Sequence, residues 1–453
     1  MTRIAAQPTD GMTYSPLDAL YLDPAKLKPE LDRVYDICVG CRMCFNLCPT
    51  FPALFKFADQ YDNNVLRLTQ AESDHVVDTC FQCKICYVKC PYTPDDGHEF
   101  QLDFPRLMQR AKAVRVSRTG LGLRERLLGN PDLLGKLASL MPWLANWGNR
   151  LSVNRWLLEK LLGVHRHKLL PAFHGETFMR WFKRHKPKLT LDGANGKVFY
   201  FPTCFVNYNA PEVGQAAVDV LTRNRVTLEC GYEQCCGMPA LDGGDIATAQ
   251  RLARANITLL KPWVERGYTV LVTNPTCSMM MRKEYEGLVG GEDAKALAAH
   301  VMDPTEYLNT LRRAGTLDQG FRSTPGRIAY HVPCHLRAQN IGYRSRDMMH
   351  AIGGGTEVEL VTECCGHDGT WAMKREYFEM SLQAGRKAFD GMKGAAAPED
   401  GRKGIMTTDC PLAAIQFQQA TGVKPLHPLQ VLARAYRADG FATPVAPKPK
   451  DGG

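Results

Sequence analysis

The sequence predicts a chain of mixed class, α followed by α/β: a helical N-terminal domain, a helical connector, and two tandem, pseudo-symmetric α/β modules. Three observations carry this. A run of the form Cys-x2-Cys-x2-Cys-x3-Cys-Pro occurs twice in the first hundred residues, at Cys38 to Pro49 and Cys80 to Pro91. Beyond residue 195, apolar stretches that end in cysteine recur in two sets, in the same order. Between these regions lies a stretch of helical periodicity punctuated by Asn130-Pro131, Met141-Pro142 and Leu170-Pro171. A chain of 453 residues exceeds one ordinary core, so roughly two to four domains are expected.

Residues 1–29 read as an extended arm, and the first domain as residues 30–104. The cysteine spacing there is that of the bacterial two-cluster ferredoxins, in which three cysteines hold one [4Fe–4S] cube and the fourth reaches the other. Three thiolates two residues apart wrap one turn of chain around three corners of the cube. The proline after the fourth has no N–H and a fixed φ, which turns the chain away. The predicted sets are Cys38, Cys41, Cys44 with Cys90, and Cys80, Cys83, Cys86 with Cys48. Zinc ribbons pair two-cysteine knuckles and lack both the third cysteine and the Cys-Pro. Between the runs, Val65, Leu66, Leu68, Val76 and Val77 are spaced as in a helix, the mark of a helical rather than hairpin-built dicluster domain.

The connector, residues 105–195, predicts helices at 124–128, 133–140 and 156–162. Between Gln101 and Lys197 there are nineteen Lys and Arg against six Asp and Glu, although the whole chain carries only +9. Trp143, Trp147, Trp156 and Trp181 lie in the same stretch. Basic residues interleaved with Trp and Leu suit an anionic membrane surface or an acidic partner; nucleic acid lacks any recognisable binding motif here. No eighteen-residue apolar run predicts a membrane span, and the N-terminus lacks the basic start and apolar run of a secretory signal. The C-x2-C and Cys-Cys spacings suit metal ligation in a reducing compartment, so a cytoplasmic protein is expected, with a peripheral place on the inner face of the membrane open to it.

The two modules span residues 196–318 and 325–440, with a loose tail at 441–453. Val198 to Cys204 corresponds to Ile328 to Cys334, Cys235-Cys236-Gly237 to Cys364-Cys365-Gly366, and Val270 to Cys277 to Ile405 to Cys410. Each half closes with a similar helix, after Asp303-Pro and after His427-Pro. Adjacent cysteines cannot both face one way from a regular strand, so Cys-Cys-Gly implies a tight turn that presents both sulfurs. Each module offers four candidate metal ligands: Cys204, Cys235, Cys236, Cys277, and Cys334, Cys364, Cys365, Cys410. Four thiolates suit a further iron–sulfur cluster or zinc.

Here the sequence resembles a known family. Cysteine, about thirty residues, Cys-Cys-Gly and a distal cysteine resemble the cysteine-rich (CCG) domain found twice in heterodisulfide reductase, glycolate oxidase and lactate-utilisation iron–sulfur subunits. With the double cluster run in front, the chain most closely resembles the family of iron–sulfur subunits of anaerobic glycerol-3-phosphate dehydrogenases, through stretches such as Cys204 to Asn209, Cys235 to Pro239, Tyr330 to His335, Cys365 to Thr370 and Thr408 to Cys410. The resemblance implies a relay: a partner flavoprotein oxidises glycerol 3-phosphate or a 2-hydroxy acid, and the clusters pass the electrons to a quinone or other acceptor. The chain has no Gly-x-Gly-x-x-Gly after a strand, so no flavin or NAD site of its own is expected. The fullest form of the CCG pattern ends in Cys-x2-Cys, whereas Asn274 and Ala413 take one of those places in each module. This argues against the alternative of a heterodisulfide-reductase-like thiol–disulfide oxidoreductase; a reductase for a rubrerythrin-type peroxide-scavenging partner is a further alternative. Cys230 is a candidate to supply a missing ligand, and His331, His335 and His367 read as hydrogen-bond donors around the ligands.

Overall fold

The computed structural model describes residues 7–8, 14–186, 193–397 and 404–445. Residues 1–6 and 9–13 of the arm expected over 1–29, and residues 446–453 of the tail expected over 441–453, lie outside them. The first domain is helical: α1 (Pro24–Cys41), α2 (Thr50–Asp59), α3 (Gln70–Thr79), α4 (Ile85–Lys89) and α5 (Phe104–Thr119). Helix α1 begins inside the stretch read as an extended arm. Asp23 accepts the Ala25 N–H at 2.8 Å and Pro24 takes the first helical position, where its missing N–H costs nothing. The core packs Val34, Leu54, Val76, Leu107 and Met108, so it runs past the expected limit at residue 104 into α5. Inside it, the Arg33 guanidinium donates to both carboxylate oxygens of Glu30, each at 2.7 Å.

The connector holds α6 (Leu123–Leu128), α7 (Pro131–Ala138), α8 (Pro142–Gly148), α9 (Ser152–Leu162) and α10 (Phe178–His185). The Asn-Pro and Met-Pro pairs start helices as well as ending them: proline sits in the first turn of α7 and α8, and Asn130 caps α7 by accepting the Leu133 N–H at 3.1 Å. No residue of α6 or α8 is buried.

The repeat appears as two parallel sheets. The first contains β1 (Lys197–Phe201), β2 (Thr227–Cys230), β3 (Thr269–Val272) and β4 (Val301–Met302), in the order β2-β1-β3-β4. After the short β5 (Ser323–Thr324) comes the second, β6 (Arg327–His331), β7 (Glu357–Val361) and β8 (Ile405–Thr408), in the order β7-β6-β8. A parallel bridge from Thr407 to Leu426 takes the place of β4 there, and β9 (Thr443–Pro444) pairs antiparallel with β5. Each closing helix carries a reciprocal cap, Asp303 with Glu306 and His427 with Gln430. The modules pack about a pseudo-two-fold: the helix Pro211–Arg223 of one lies on Pro428–Ala435 of the other, and Pro304–Arg313 lies on Arg344–His350. One core runs through both lobes, with Tyr200 and Val198 of β1 joined to Tyr330 and Ile328 of β6. Cys204, Cys277, Cys334 and Cys410 all follow the carboxyl ends of parallel strands, the edge at which open α/β sheets place their sites.

Candidate metal centres

The eight cysteines of the two runs lie near one another in the first domain. Cys38, Cys41, Cys44 and Cys90 line one small cavity with Ile37 and Phe51. Burial pushes the Cys38 thiol well above its usual range, and the nearby sulfurs of Cys44, Cys90 and Cys41 push it further. Cys86 is raised in the same way by burial and then by Cys83, Cys48 and Cys80. Cys44 also acts on Cys86, so the two sets adjoin. In the second set, Gln82 (φ 56°) and Lys84 (φ 60°) stand in the left-handed region on either side of Cys83. Alternation of hand along such a loop turns successive N–H groups to one side, the concave form that receives negatively charged sulfur. The Gln82 amide donates to the Cys80 sulfur at 3.5 Å and to the Pro105 carbonyl at 3.1 Å.

In the first module the four sulfurs lie close to one another. Cys204 and Cys236 hold the Cys235 thiol well below its ordinary value, while Cys235 and Cys277 push Cys236 well above it. Their frame is polar and buried. Asn256 donates to the Cys235 carbonyl at 2.9 Å, Tyr285 donates to the Cys236 carbonyl at 2.9 Å, and Asp132, from α7 of the connector, accepts the Cys235 N–H at 2.5 Å. Burial raises Asp132 to about 6, against the hydroxyl it accepts from Tyr232. Thr203, just before Cys204, has φ 73° and is buried. That conformation is costly for a β-branched residue and marks the turn that aims Cys204.

The second module is built against the dicluster domain. Cys364 lies close enough to Cys48 for that sulfur to raise its pKa, and Cys83 raises Cys334 likewise. Phe81, Cys83, Ile85, Trp371 and Ala372 form one apolar cluster, with Cys48, Cys334 and Cys364 against it. Trp371 also donates to the Asp78 carbonyl at 3.0 Å. Within the module, Gly366 N–H donates to the Cys364 sulfur at 3.2 Å, and Lys168 of the connector lies near Cys365, its ammonium lowered to about 8 by burial.

His335 joins all three parts. Its Nε2 lies 2.9 Å from the Gln82 carbonyl, which can only accept, so Nε2 carries the proton and Nδ1 accepts from the Thr276 hydroxyl at 2.9 Å. Burial pushes His335 down to about 4, which keeps it neutral in this role. A buried ion pair, Lys84 with Glu284, holds the second cysteine loop to the first module, and Arg106 stands 3.7 Å from the same carboxylate. Although burial raises Glu284, Lys84 and Arg106 pull it down to about 2.

Iron–sulfur clusters fit what these residues present. Buried thiols of raised pKa stay protonated by themselves, and a bound metal is what deprotonates them. His367, beside Cys365, is buried with neither ring nitrogen hydrogen-bonded, which suits a donor to a bound group. Among the described residues no three His, Cys, Asp or Glu side chains close on a point as a single metal ion requires; a four-iron cube is a larger body and holds its thiolates further apart. Cys230 does not join the first module's thiols: its sulfur lies 3.6 Å from the Met179 sulfur, in the core between the lobes. It sits in β2, which runs beside β1, with its side chain on the face turned from the site. Sequence reasoning missed Asp132, Lys168 and Glu284, since each reaches the sites from a segment distant in the chain. The strained Thr203 left no signal, because threonine carries no mark of positive φ.

Residues 37–95 match the family model of a 4Fe-4S dicluster domain, and residues 198–282 and 328–410 each match that of the CCG cysteine-rich domain. The chain is 28% identical over 334 residues to a subunit of the anaerobic glycerol-3-phosphate dehydrogenase of Escherichia coli (strain K12), covering 73% of this chain and 81% of that one. It is 31% identical over 193 residues to lactate utilization protein A of Geobacillus thermodenitrificans (strain NG80-2), over 39% of this chain and 75% of the relative. With a subunit of the fumarate reductase (CoM/CoB) of Methanothermobacter marburgensis it shares 25% over 255 residues, 54% of this chain and 47% of that protein. No solved structure matches the chain.

Proposed function

Because the chain belongs to the family of iron–sulfur proteins that join a 4Fe-4S dicluster domain to two cysteine-rich CCG domains, we propose that it is the electron-transfer subunit of a dehydrogenase whose flavin sits on a partner chain. In this reading Cys38, Cys41, Cys44 and Cys90 hold one [4Fe–4S] cluster, and Cys80, Cys83, Cys86 and Cys48 a second. Cys334, Cys364, Cys365 and Cys410 hold a further cluster, and Cys204, Cys235, Cys236 and Cys277 a fourth metal centre. Such clusters supply one-electron transfer at potentials set by burial and by hydrogen bonds to sulfur. The observation that carries the reading is the unbroken succession of sulfurs, Cys44 to Cys86 and then Cys83 and Cys48 to Cys364 and Cys334, with His335 spanning the step to the first module.

Electrons enter at the first cluster. Met43 and Phe45, 59% and 52% exposed in the loop between Cys41 and Cys48, offer an apolar landing for the flavoprotein. The relatives' names favour glycerol 3-phosphate or lactate as the partner's substrate. Among the described residues no helix is long and apolar enough to cross a membrane. Thirteen of the twenty exposed large apolar side chains among those residues nevertheless fall between Leu123 and Leu161, Trp143 at 70% and Leu161 at 75% among them. With the basic residues of the same segment, this supports reading the connector as a peripheral anchor on an anionic membrane, reached from the cytoplasmic side.

Anaerobic affinity purification from the native host tests the relay. A stoichiometric flavoprotein that reduces the chain's clusters on addition of its substrate is the expected result. Cys38→Ser or Cys83→Ser then abolishes one cluster's signal and all electron flow. Normal turnover in either variant contradicts the reading.

A further inference from the structure

Two lysines are buried among the described residues, and only one of them has a counter-charge. Lys84 faces the carboxylate of Glu284. Lys168, 2% exposed and supplied by the connector, donates to the neutral Gln416 side-chain oxygen and pairs with no carboxylate among the described residues. An ammonium carries three N–H donors, and holding one out of water without an anion is costly. Its place is fixed by the backbone. The Arg155 guanidinium donates to the Lys168 carbonyl at 2.6 Å, and the His165 N–H donates to the Met373 carbonyl at 2.9 Å. From Lys168 the contacts lead to the second module's cysteines. Gln416 lies on the helix Pro411–Thr421 that follows Cys410, and its amide donates to the Ser381 hydroxyl at 3.3 Å. The Ser381 carbonyl oxygen lies against Gly366, 1.9 Å from where a Cβ there would stand. Burial lowers Lys168 to about 8 and the Cys365 sulfur opposes this, while burial and then Lys168 push His367 down. Much of the remaining wall is apolar, with Ala388, Phe389, Met392 and Phe417 clustered where Cys365 and Cys410 pack.

We propose that the buried ammonium of Lys168 is the counter-charge of the iron–sulfur cluster held by the second module, and that it raises the reduction potential of this cluster. The assignment rests on the reading that Cys334, Cys364, Cys365 and Cys410 hold a cluster, and it names the side chain that sets its potential. A cube held by four thiolates is anionic and gains one more negative charge on reduction. A fixed cation beside it therefore favours the reduced form, most of all where water is excluded. The step is the passage of one electron from the adjoining dicluster site, which is oxidised as the module's cluster is reduced, and Lys168 keeps its protons throughout. At the first module the connector's contact is an acid instead, Asp132 on the Cys235 N–H. One segment thus brings a cation to one set of cysteines and a carboxyl group to the other.

The test is an equilibrium redox titration of the anaerobically purified full-length holoprotein, followed by paramagnetic resonance. The second module's signal is the one lost in Cys410→Ser. Lys168→Met, similar in length and uncharged, should make that cluster at least tenfold harder to reduce, about 59 mV for a one-electron couple. Lys168→Arg, which keeps the charge, should leave the potential near the wild-type value, and the cluster of the Cys38 set should not shift in either variant. An unchanged potential in Lys168→Met overturns the assignment, and so does a fall that Lys168→Arg shares. Should Lys168→Met fail to retain clusters, a loss confined to the second module and restored by Lys168→Arg supports the counter-charge. Loss of every cluster, or no restoration by arginine, overturns it. A Cys410→Ser protein with the iron content and signals of the wild type would remove the cluster from the second module, and with it the reading on which the assignment rests.

Discussion

The two cysteine-rich modules share a sequence pattern, a sheet and a pseudo-two-fold, yet their cysteines live in different surroundings. The second module's set is pressed against the dicluster domain, where Cys364 feels Cys48 and Trp371 packs on Phe81 at 4.9 Å between ring centroids. The first module's four sulfurs border a cavity walled in large part by the connector. The repeat thus supplies two sets of one pattern, and the segments laid over them give each set different surroundings.

The glycines of the two Cys-Cys-Gly turns test this asymmetry most severely. A Cβ on Gly366 would stand 1.9 Å from the Ser381 carbonyl oxygen, while on Gly237 (φ 96°) its nearest neighbour is 3.4 Å away. Gly366→Ala is therefore expected to destabilise the second module by more than about 3 kcal/mol through forced backbone movement. Gly237→Ala should cost roughly 1–3 kcal/mol from its φ alone. Thermal unfolding of the two variants checks the order, and equal losses would remove the distinction between the turns.

The next largest effect is expected where the dicluster domain meets the first module. Glu284→Gln leaves Lys84 buried without its counter-charge, for a loss of roughly 3–5 kcal/mol in denaturant unfolding. The pH dependence follows in sign. Glu284 is depressed in the folded chain to about 2, so its contribution is fully present above the unfolded value near 4.5 and is lost as pH falls from there towards 2. The variant's stability should lack that part of the acid slope, and an unchanged slope would contradict the pairing.

His335→Phe should cost roughly 1–3 kcal/mol, since the buried Gln82 carbonyl and the half-buried Thr276 hydroxyl lose their partner. It should also slow reduction of the first module's centre while the second dicluster site is reduced at the normal rate, as followed by rapid-freeze spectroscopy. Slowing of both sites would mean that His335 supports the fold alone. The smallest effect is set at the surface. Trp143→Ser with Leu161→Ser should lower binding to anionic vesicles roughly tenfold, about 1.4 kcal/mol, without a change in cluster content. Vesicle binding unaffected by the pair would remove the anchor.

Much of this was legible in the sequence because its signals are local or periodic. The dicluster domain follows from the spacing of the two cysteine runs, and the tandem modules from strands that end near Cys204, Cys277, Cys334 and Cys410. The start of α1 was signalled by Asp23-Pro24, a cap-and-proline pair within the stretch read as an arm. What spacing does not encode is which distant side chain lands on which site. Asp132 meets Cys235 a hundred residues away, and Lys84 meets Glu284 across two hundred, through packing of whole domains. The cavity belongs to the same class, since its walls come from the connector, both modules and the loop after Gly366.

The most direct test of the account is the paramagnetic resonance of the fully reduced holoprotein beside its Cys364→Ser and Cys277→Ser variants. If the second module stands next to the second dicluster site, spin coupling should broaden that site's signal in the wild-type protein. The broadening should vanish with Cys364→Ser and persist with Cys277→Ser. A second-site signal identical in all three proteins, or one sharpened only by Cys277→Ser, would contradict the placement of the second module in the relay.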